Sequence, residues 1–185
     1  MSMFYVNDFI SHLTLKRLVK FLHEEYSGDR LLLYINSQGG CTRSAFAIYE
    51  ILRTLSEQKN IEVVAQAFDE CYSAALILFL AADERYATKY STFLIHEVSI
   101  EESTGKHAEG YKNTAVQLEK ETSILYDLIV KRTNLSAATI KKKVKAAKDN
   151  DWLFDMDEAE KYGIVTNPGF YIPEFVEQDI EMEEE

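Results

Sequence analysis

Two residues in the middle of this 185-residue chain are suited to acyl transfer: the serine of Cys71-Tyr72-Ser73-Ala74 and the histidine of Phe93-Leu94-Ile95-His96. A seryl oxygen becomes a nucleophile when a base takes its proton, and imidazole is the side chain best poised to do so near neutral pH. Ser73 opens the apolar run Ala74 to Ala82, so it stands where a helix begins and backbone N–H groups have no intrahelical acceptor. A developing oxyanion finds donors and a favourable dipole there. Both residues also have plainer uses. A serine opening a helix is commonly an N-cap, and a histidine after a strand is often structural. The elements that carry them decide the matter.

Ile61 to Glu97 reads as strand, bend, helix, strand. The bend is expected at Asp69-Glu70-Cys71-Tyr72. The helix after it is apolar on every side, which places it inside a core. Thr92-Phe93-Leu94-Ile95 is a second apolar strand and delivers His96 at its end. Upstream, Leu15, Leu18, Val19 and Leu22 give Leu13 to Glu25 the spacing of an amphipathic helix. Leu31 to Ile35 is a short apolar run, read as a buried strand, and it ends in the turn Asn36-Ser37-Gln38-Gly39-Gly40. A helix follows from about Arg43 to Leu55, with Ala45, Ile48, Leu52 and Leu55 inward.

This alternation predicts an α/β domain with a largely parallel sheet, in which ligands bind at the carboxyl ends of the strands. The Gly39-Gly40 turn, Ser73 and His96 all follow predicted strands and so share one edge. Paired glycines let backbone N–H groups approach a ligand, although a simple connecting turn accounts for them equally. After His96 the pattern changes. Glu97 to Gly110 is polar and expected to be a mobile loop. Tyr111 to Arg132 is a long helix with Leu118, Leu125, Leu128 and Ile129 in one stripe. Its length predicts that it projects toward a neighbouring subunit; a lid on its own sheet is the alternative. A further helix is expected over Asn134 to Lys148, a short one over Asp157 to Tyr162 stopped by Gly163, and a last strand at Ile164-Val165.

Composition narrows the function classes. The 46% hydrophobic and 28% charged fractions are those of a globular protein, read as one domain over residues 1–170. The apolar run in the middle is too short to span a bilayer, and the N-terminus lacks the pattern of a secretory signal. Cys41 and Cys71 make neither a disulfide framework nor a metal spacing, so no metal is expected and a reducing, cytoplasmic setting fits. Cys71 is read as a buried small residue, with an oxidation-sensitive thiol beside the site as the alternative. Of the net charge of −11, seven acidic residues fall in Glu174 to Glu185 with no basic one. Residues 171–185 are therefore expected to form an acidic, disordered tail on a mildly acidic body. The lysines from Lys141 to Lys148 read as a solvated face, not a nucleic-acid site.

Several blocks together carry a resemblance. Leu33-Tyr34-Ile35-Asn36-Ser37-Gln38-Gly39-Gly40 resembles the Tyr-Ile-Asn-Ser-Pro-Gly-Gly segment of the Clp protease proteolytic subunit (ClpP) family, with Gln38 in place of the proline. Ala47-Ile48-Tyr49-Glu50 matches a similar Ile-Tyr-Asp. Ser73 falls where the family's nucleophile heads the central helix. Phe93-Leu94-Ile95-His96 resembles its Val-Met-Ile-His, and Glu158 to Val165 resembles its Glu-Ala-Val-Glu-Tyr-Gly-Leu-Val. The likeness runs in family order from Leu31 to Val165.

The resemblance implies the ClpP/crotonase fold, with repeated β-β-α/β-α units and a projecting handle helix. It implies a serine endopeptidase without cofactor, cutting peptides or unfolded polypeptides inside stacked rings of identical subunits. Ser73 would be the nucleophile, His96 the base and Asp151 the residue orienting it, while the backbone N–H groups of Gly40 and Ala74 would hold the oxyanion. Asp149 and Asp155 lie near enough in sequence to compete for the aspartate's place.

The departures bear on activity and partners. Where the family has Gly-Gln-Ala-Ala-Ser-Met-Gly, this chain has Asp69-Glu70-Cys71-Tyr72-Ser73-Ala74-Ala75, and Tyr72 is expected to narrow the cleft. Some viral and divergent members carry similar changes. Only about 30 residues precede the first matching strand, so the axial loops that help dock an ATP-driven unfoldase are expected to be largely missing. Two alternatives stand beside the peptidase: a catalytically silent ClpP-like scaffold, and a crotonase-type acyl-CoA enzyme using backbone oxyanion donors.

Overall fold

The structure, a computed structural model, describes residues 2–100 and 107–172. Part of the expected loop between Glu97 and Gly110, and the acidic tail from residue 173 onward, lie outside the described residues.

The centre of the fold is a parallel pair. β2 (Arg30–Ser37) and β3 (Glu62–Tyr72) run in register from Leu31 opposite Val63 to Ile35 opposite Ala67. Both are nearly continuous apolar runs because both faces of the sheet are covered. α2 (Thr42–Lys59) and α3 (Ala74–Ala81) pack on them, with α1 (His12–Glu24) against α2. No residue of α3 exceeds 1% exposure, as its unbroken apolar sequence requires.

Strands appear that the sequence pattern does not announce, two of them beside the central pair. β1 (Ser2–Val6) lies parallel on the outer side of β2, and β4 (Glu84–Ala87) lies parallel on the other side of β3. With β7 (Asn167–Pro168) at the far edge, the order is β1-β2-β3-β4-β7. β4 hides from a hydropathy reading because it carries Arg85. That side chain is buried, yet its guanidinium donates to the carbonyls of Ile164, Ala82 and Gly163, so it enters the core fully partnered.

The bend expected at Asp69 to Tyr72 is instead a change of neighbour within one strand. Asp69 takes a left-handed φ of 40°, and the β2–β3 register shifts between Ile35 and Ser37. Beyond that irregularity Glu70 to Tyr72 pair with Thr92 to Leu94 of β5 (Thr92–Ile95). The acidic residues mimic a turn because Asp69 is exposed at this switch. β5 then pairs antiparallel with β6 (Trp152–Asp155), Ile95 opposite Trp152.

α4 (Ala108–Arg132) is 25 residues long, and its buried residues are Leu125, Tyr126, Leu128 and Ile129, all in the C-terminal part. α5 (Ala137–Ala146) follows, shorter than expected, and gives way to a single 3-10 turn at Lys148–Asn150. α6 (Met156–Lys161) ends at Gly163, φ +69°. Ile164 and Val165 form no strand; both N–H groups fold back onto the Ala159 carbonyl and close the helix end. Tyr171 belongs to the body: its N–H donates to Gln66 and its ring packs edge-on against Tyr86 at 5.1 Å.

Candidate active site

Ser73 stands immediately before α3, and its side chain makes no capping bond. Its backbone is held at φ 52°, ψ −119°, a region that L-residues occupy only when their surroundings impose it. The imposition is visible. The Ser73 N–H donates to the Leu94 carbonyl, and Gly39 is pressed against the turn from the other side. A Cβ on Gly39 would fall 2.7 Å from the Tyr72 oxygen and 2.9 Å from the Ala74 nitrogen. Only glycine fits, and it also holds φ +101°. The turn therefore holds the hydroxyl away from the first N–H groups of α3.

The hydroxyl meets His96. Ser73 Oγ lies 2.6 Å from His96 Nε2, and His96 Nδ1 lies 3.3 Å from Asp151 Oδ1. The β5–β6 ladder makes this arrangement. Ile95 faces Trp152 in an antiparallel pair, so the next residue of one strand and the preceding residue of the other, His96 and Asp151, leave the ladder side by side. For Nε2 to accept the seryl proton, Nδ1 must carry the ring hydrogen, and Asp151 is the acceptor that favours this tautomer. The other two aspartates are otherwise engaged: Asp155 caps α6 through the Glu158 N–H, and Asp149 sits in the 3-10 turn with φ 57°.

Gly40 lies in the wall of the same cleft. A bridge to Ile10 takes the Gly39 carbonyl and the Cys41 N–H, which leaves the Gly40 N–H out of it. Ala74 is the first residue of α3, where the N–H has no intrahelical acceptor. The cleft has a volume of about 660 Å³. Phe9 and Ile100, both exposed, supply apolar wall. Tyr72 lines it, its hydroxyl fixed to Thr92 Oγ1 at 2.8 Å. Phe9 is a cleft residue that the sequence reading passes over; its neighbour Ile10 bridging to Gly40 brings it there.

Of the two cysteines, Cys71 is the buried small residue that the sequence reading expects. Cys71 is wholly buried, and desolvation pushes its thiol far above the usual range. The thiol in the cleft is Cys41, at the start of α2, where the nearby Ser44 hydroxyl and the N–H groups of the first helical turn lower its pKa.

The described residues contain no helix long and apolar enough to cross a membrane. A family model described as Clp protease matches residues 3–167. Among solved structures, a single-substitution mutant of ClpP1 from Listeria monocytogenes superposes with a TM-score of 0.74 at 21% identity, covering 91% of this chain and 91% of that one. The mixed α/β architecture with its largely parallel sheet is thus the fold of that neighbour.

Proposed function

The chain belongs to the Clp protease family, and from that premise we propose that it is a serine endopeptidase cutting peptides or unfolded polypeptides through Ser73, His96 and Asp151. The observation that carries the reading is the 2.6 Å contact between Ser73 Oγ and His96 Nε2, made by a serine whose side chain has given up the capping role its position offers.

Ser73 Oγ attacks the scissile carbonyl as His96 Nε2 takes its proton. The imidazolium is stabilised by Asp151, which stays ionised. Negative charge gathers on the carbonyl oxygen, where the N–H groups of Gly40 and Ala74 supply fixed donors. Collapse of this intermediate returns the proton from His96 to the leaving amine and leaves an acyl group on Ser73. A water activated by His96 then releases the second product by the same steps in reverse order.

The reading extends to assembly. α4 exposes Val116 and Ile124 ahead of its buried C-terminal part, and this apolar surface supports a handle that joins identical subunits into rings around a chamber. A silent scaffold is the second reading. The 3.3 Å His96–Asp151 separation and the 47% exposure of the Asp151 side chain favour it, since that distance lies beyond the usual range of an N–H···O bond. The test is hydrolysis of a fluorogenic peptide and of unfolded casein by wild type and Ser73→Ala, fraction by fraction across the oligomers. Turnover by wild type alone supports the peptidase; no turnover in any fraction makes the scaffold the better account.

A further inference from the structure

Side chains alternate along β2 and β3, and the two faces of the sheet are covered by different things. Leu31, Leu33, Val63 and Ala65 belong to the main core with the helices. Leu32 and Val64 form a separate buried cluster with Tyr171, flanked by Tyr34 and Tyr86. Among the described residues no helix residue takes part in it. The chain after β7 covers this second face.

That cover is incomplete. Met3, Tyr5, Tyr34, Phe68 and Phe170 line a groove of about 400 Å³ beside it. The rings form a continuous row: Phe170 lies 5.7 Å from Phe68, Phe68 lies 5.4 Å from Tyr34, and Tyr34 lies 5.3 Å from Tyr5. The row crosses β3, β2 and β1 in turn. Its two ends stand half out of the protein, Tyr5 and Phe170 each at 51% exposure. A contiguous apolar strip of this kind marks a place where something docks.

The path of the chain points to the occupant. The Gly169 N–H donates to the Ala87 carbonyl of β4, and two residues later the Tyr171 N–H donates to Gln66 of β3. The segment is therefore crossing the sheet from its β7 edge toward β2 and β1, and Phe170 is already a wall of the groove. From β3 to β1 is two strand spacings, about 10 Å. Five extended residues reach about 17 Å, so Phe175 comes within range of Tyr5. The sequence beyond it alternates. In an extended chain Val176, Ile180 and Met182 fall on one side, and Glu177, Asp179, Glu181 and Glu183 on the other. Charge agrees with the direction. Met3 and Tyr5 also line the next hollow, whose wall carries Arg17 and Lys20 of α1. Those two cations are paired only through exposed contacts, with Asp8 at 3.6 Å and Glu24 at 3.5 Å, which are weak enough to admit further carboxylates.

We propose that the chain's own segment 173–185 lies along this groove, with Phe175 among the rings and its last glutamates beside Arg17 and Lys20. The proposal does not depend on the peptidase reading. The test places p-benzoylphenylalanine at position 175 of the full chain and irradiates the assembled protein. Adducts are expected at monomer mass on a denaturing gel and, by peptide mapping, on the strands that bear Tyr5, Tyr34 or Phe68. Arg17→Glu with Lys20→Glu should lower their yield about 3-fold, the scale of exposed ion pairs. A second measurement avoids the bulky label. Binding of the dye bis-ANS should rise several-fold when Phe175→Ser, Val176→Ser, Ile180→Ser and Met182→Ser are combined in the full chain, and Tyr5→Ser should remove the increase. Adducts at dimer mass would give the groove to a second copy. No adduct on those strands, or dye binding equal in wild type and the tail variant, would leave it open to a partner protein. Each of these results overturns the proposal.

Discussion

Serines head helices in this molecule in two different ways. Ser11, before α1, has an extended backbone (φ −145°, ψ 179°); its side chain accepts from the Leu13 N–H, and Thr14 completes a capping box by accepting from the Ser11 N–H. Ser73, before α3, has φ 52°, makes no cap bond, and directs its oxygen to His96. The residue type and its place in the chain are the same. What differs is the backbone: at the Ser73 turn Gly39 lies against Tyr72 and Ala74 and the Ser73 N–H is tied to the Leu94 carbonyl, whereas the Ser11 N–H donates to Thr14 within its own capping box. A serine in that setting contributes to helix stability only when its φ and ψ let it reach the first N–H groups. Withdrawn from that role, its oxygen is available for chemistry.

The contrast breaks most sharply under Ser73→Ala. Activity should fall about 10⁴-fold or more, the usual cost of losing the nucleophile, while the melting temperature does not drop, because no cap is lost. Asp151→Asn should cost about 10²- to 10⁴-fold in kcat, at the lower end because the 3.3 Å contact is loose; kinetics beside Ser73→Ala would show the ranking. Gly39→Ala should strike both properties together. A side chain there clashes with backbone at 2.7 Å and is strained at φ +101°, so about 2–3 kcal/mol of stability is at stake, read by denaturant titration, with activity falling as the elbow shifts. Ser11→Ala is the mirror image of Ser73→Ala: about 1 kcal/mol of stability is lost, and kcat/KM is unchanged.

Much of this geometry was legible in the residues, and the failures have physical causes. The buried strands from Leu31 and from Thr92 announce themselves by apolar runs, and α3 by having no polar face at all. Ser73 and His96 could be singled out because each follows such an element. Asp151 could not be chosen over Asp149 and Asp155 from spacing; the resemblance pointed to it, and the β5–β6 register explains why it is the one beside His96. β1 escaped because five residues at the chain's start give too short an alternation. β4 escaped because Arg85 is buried through carbonyl partners that lie up to about 80 residues away in sequence, which no local pattern reveals. The bend at Asp69 to Tyr72 was misread because exposure at a strand's change of neighbour looks like exposure at a turn. The Gly39 contact, which sets the backbone of Ser73, joins two segments of unrelated pattern and becomes visible only in three dimensions.

The most direct test of the central claim is covalent labelling of the assembled protein with a fluorophosphonate probe, followed by peptide mapping. Wild type and Ser11→Ala should take up the probe on Ser73 alone, and Ser73→Ala and His96→Ala should take up none. An unlabelled wild type in every oligomeric fraction, or label that persists in Ser73→Ala, would contradict the assignment of Ser73 as an activated nucleophile.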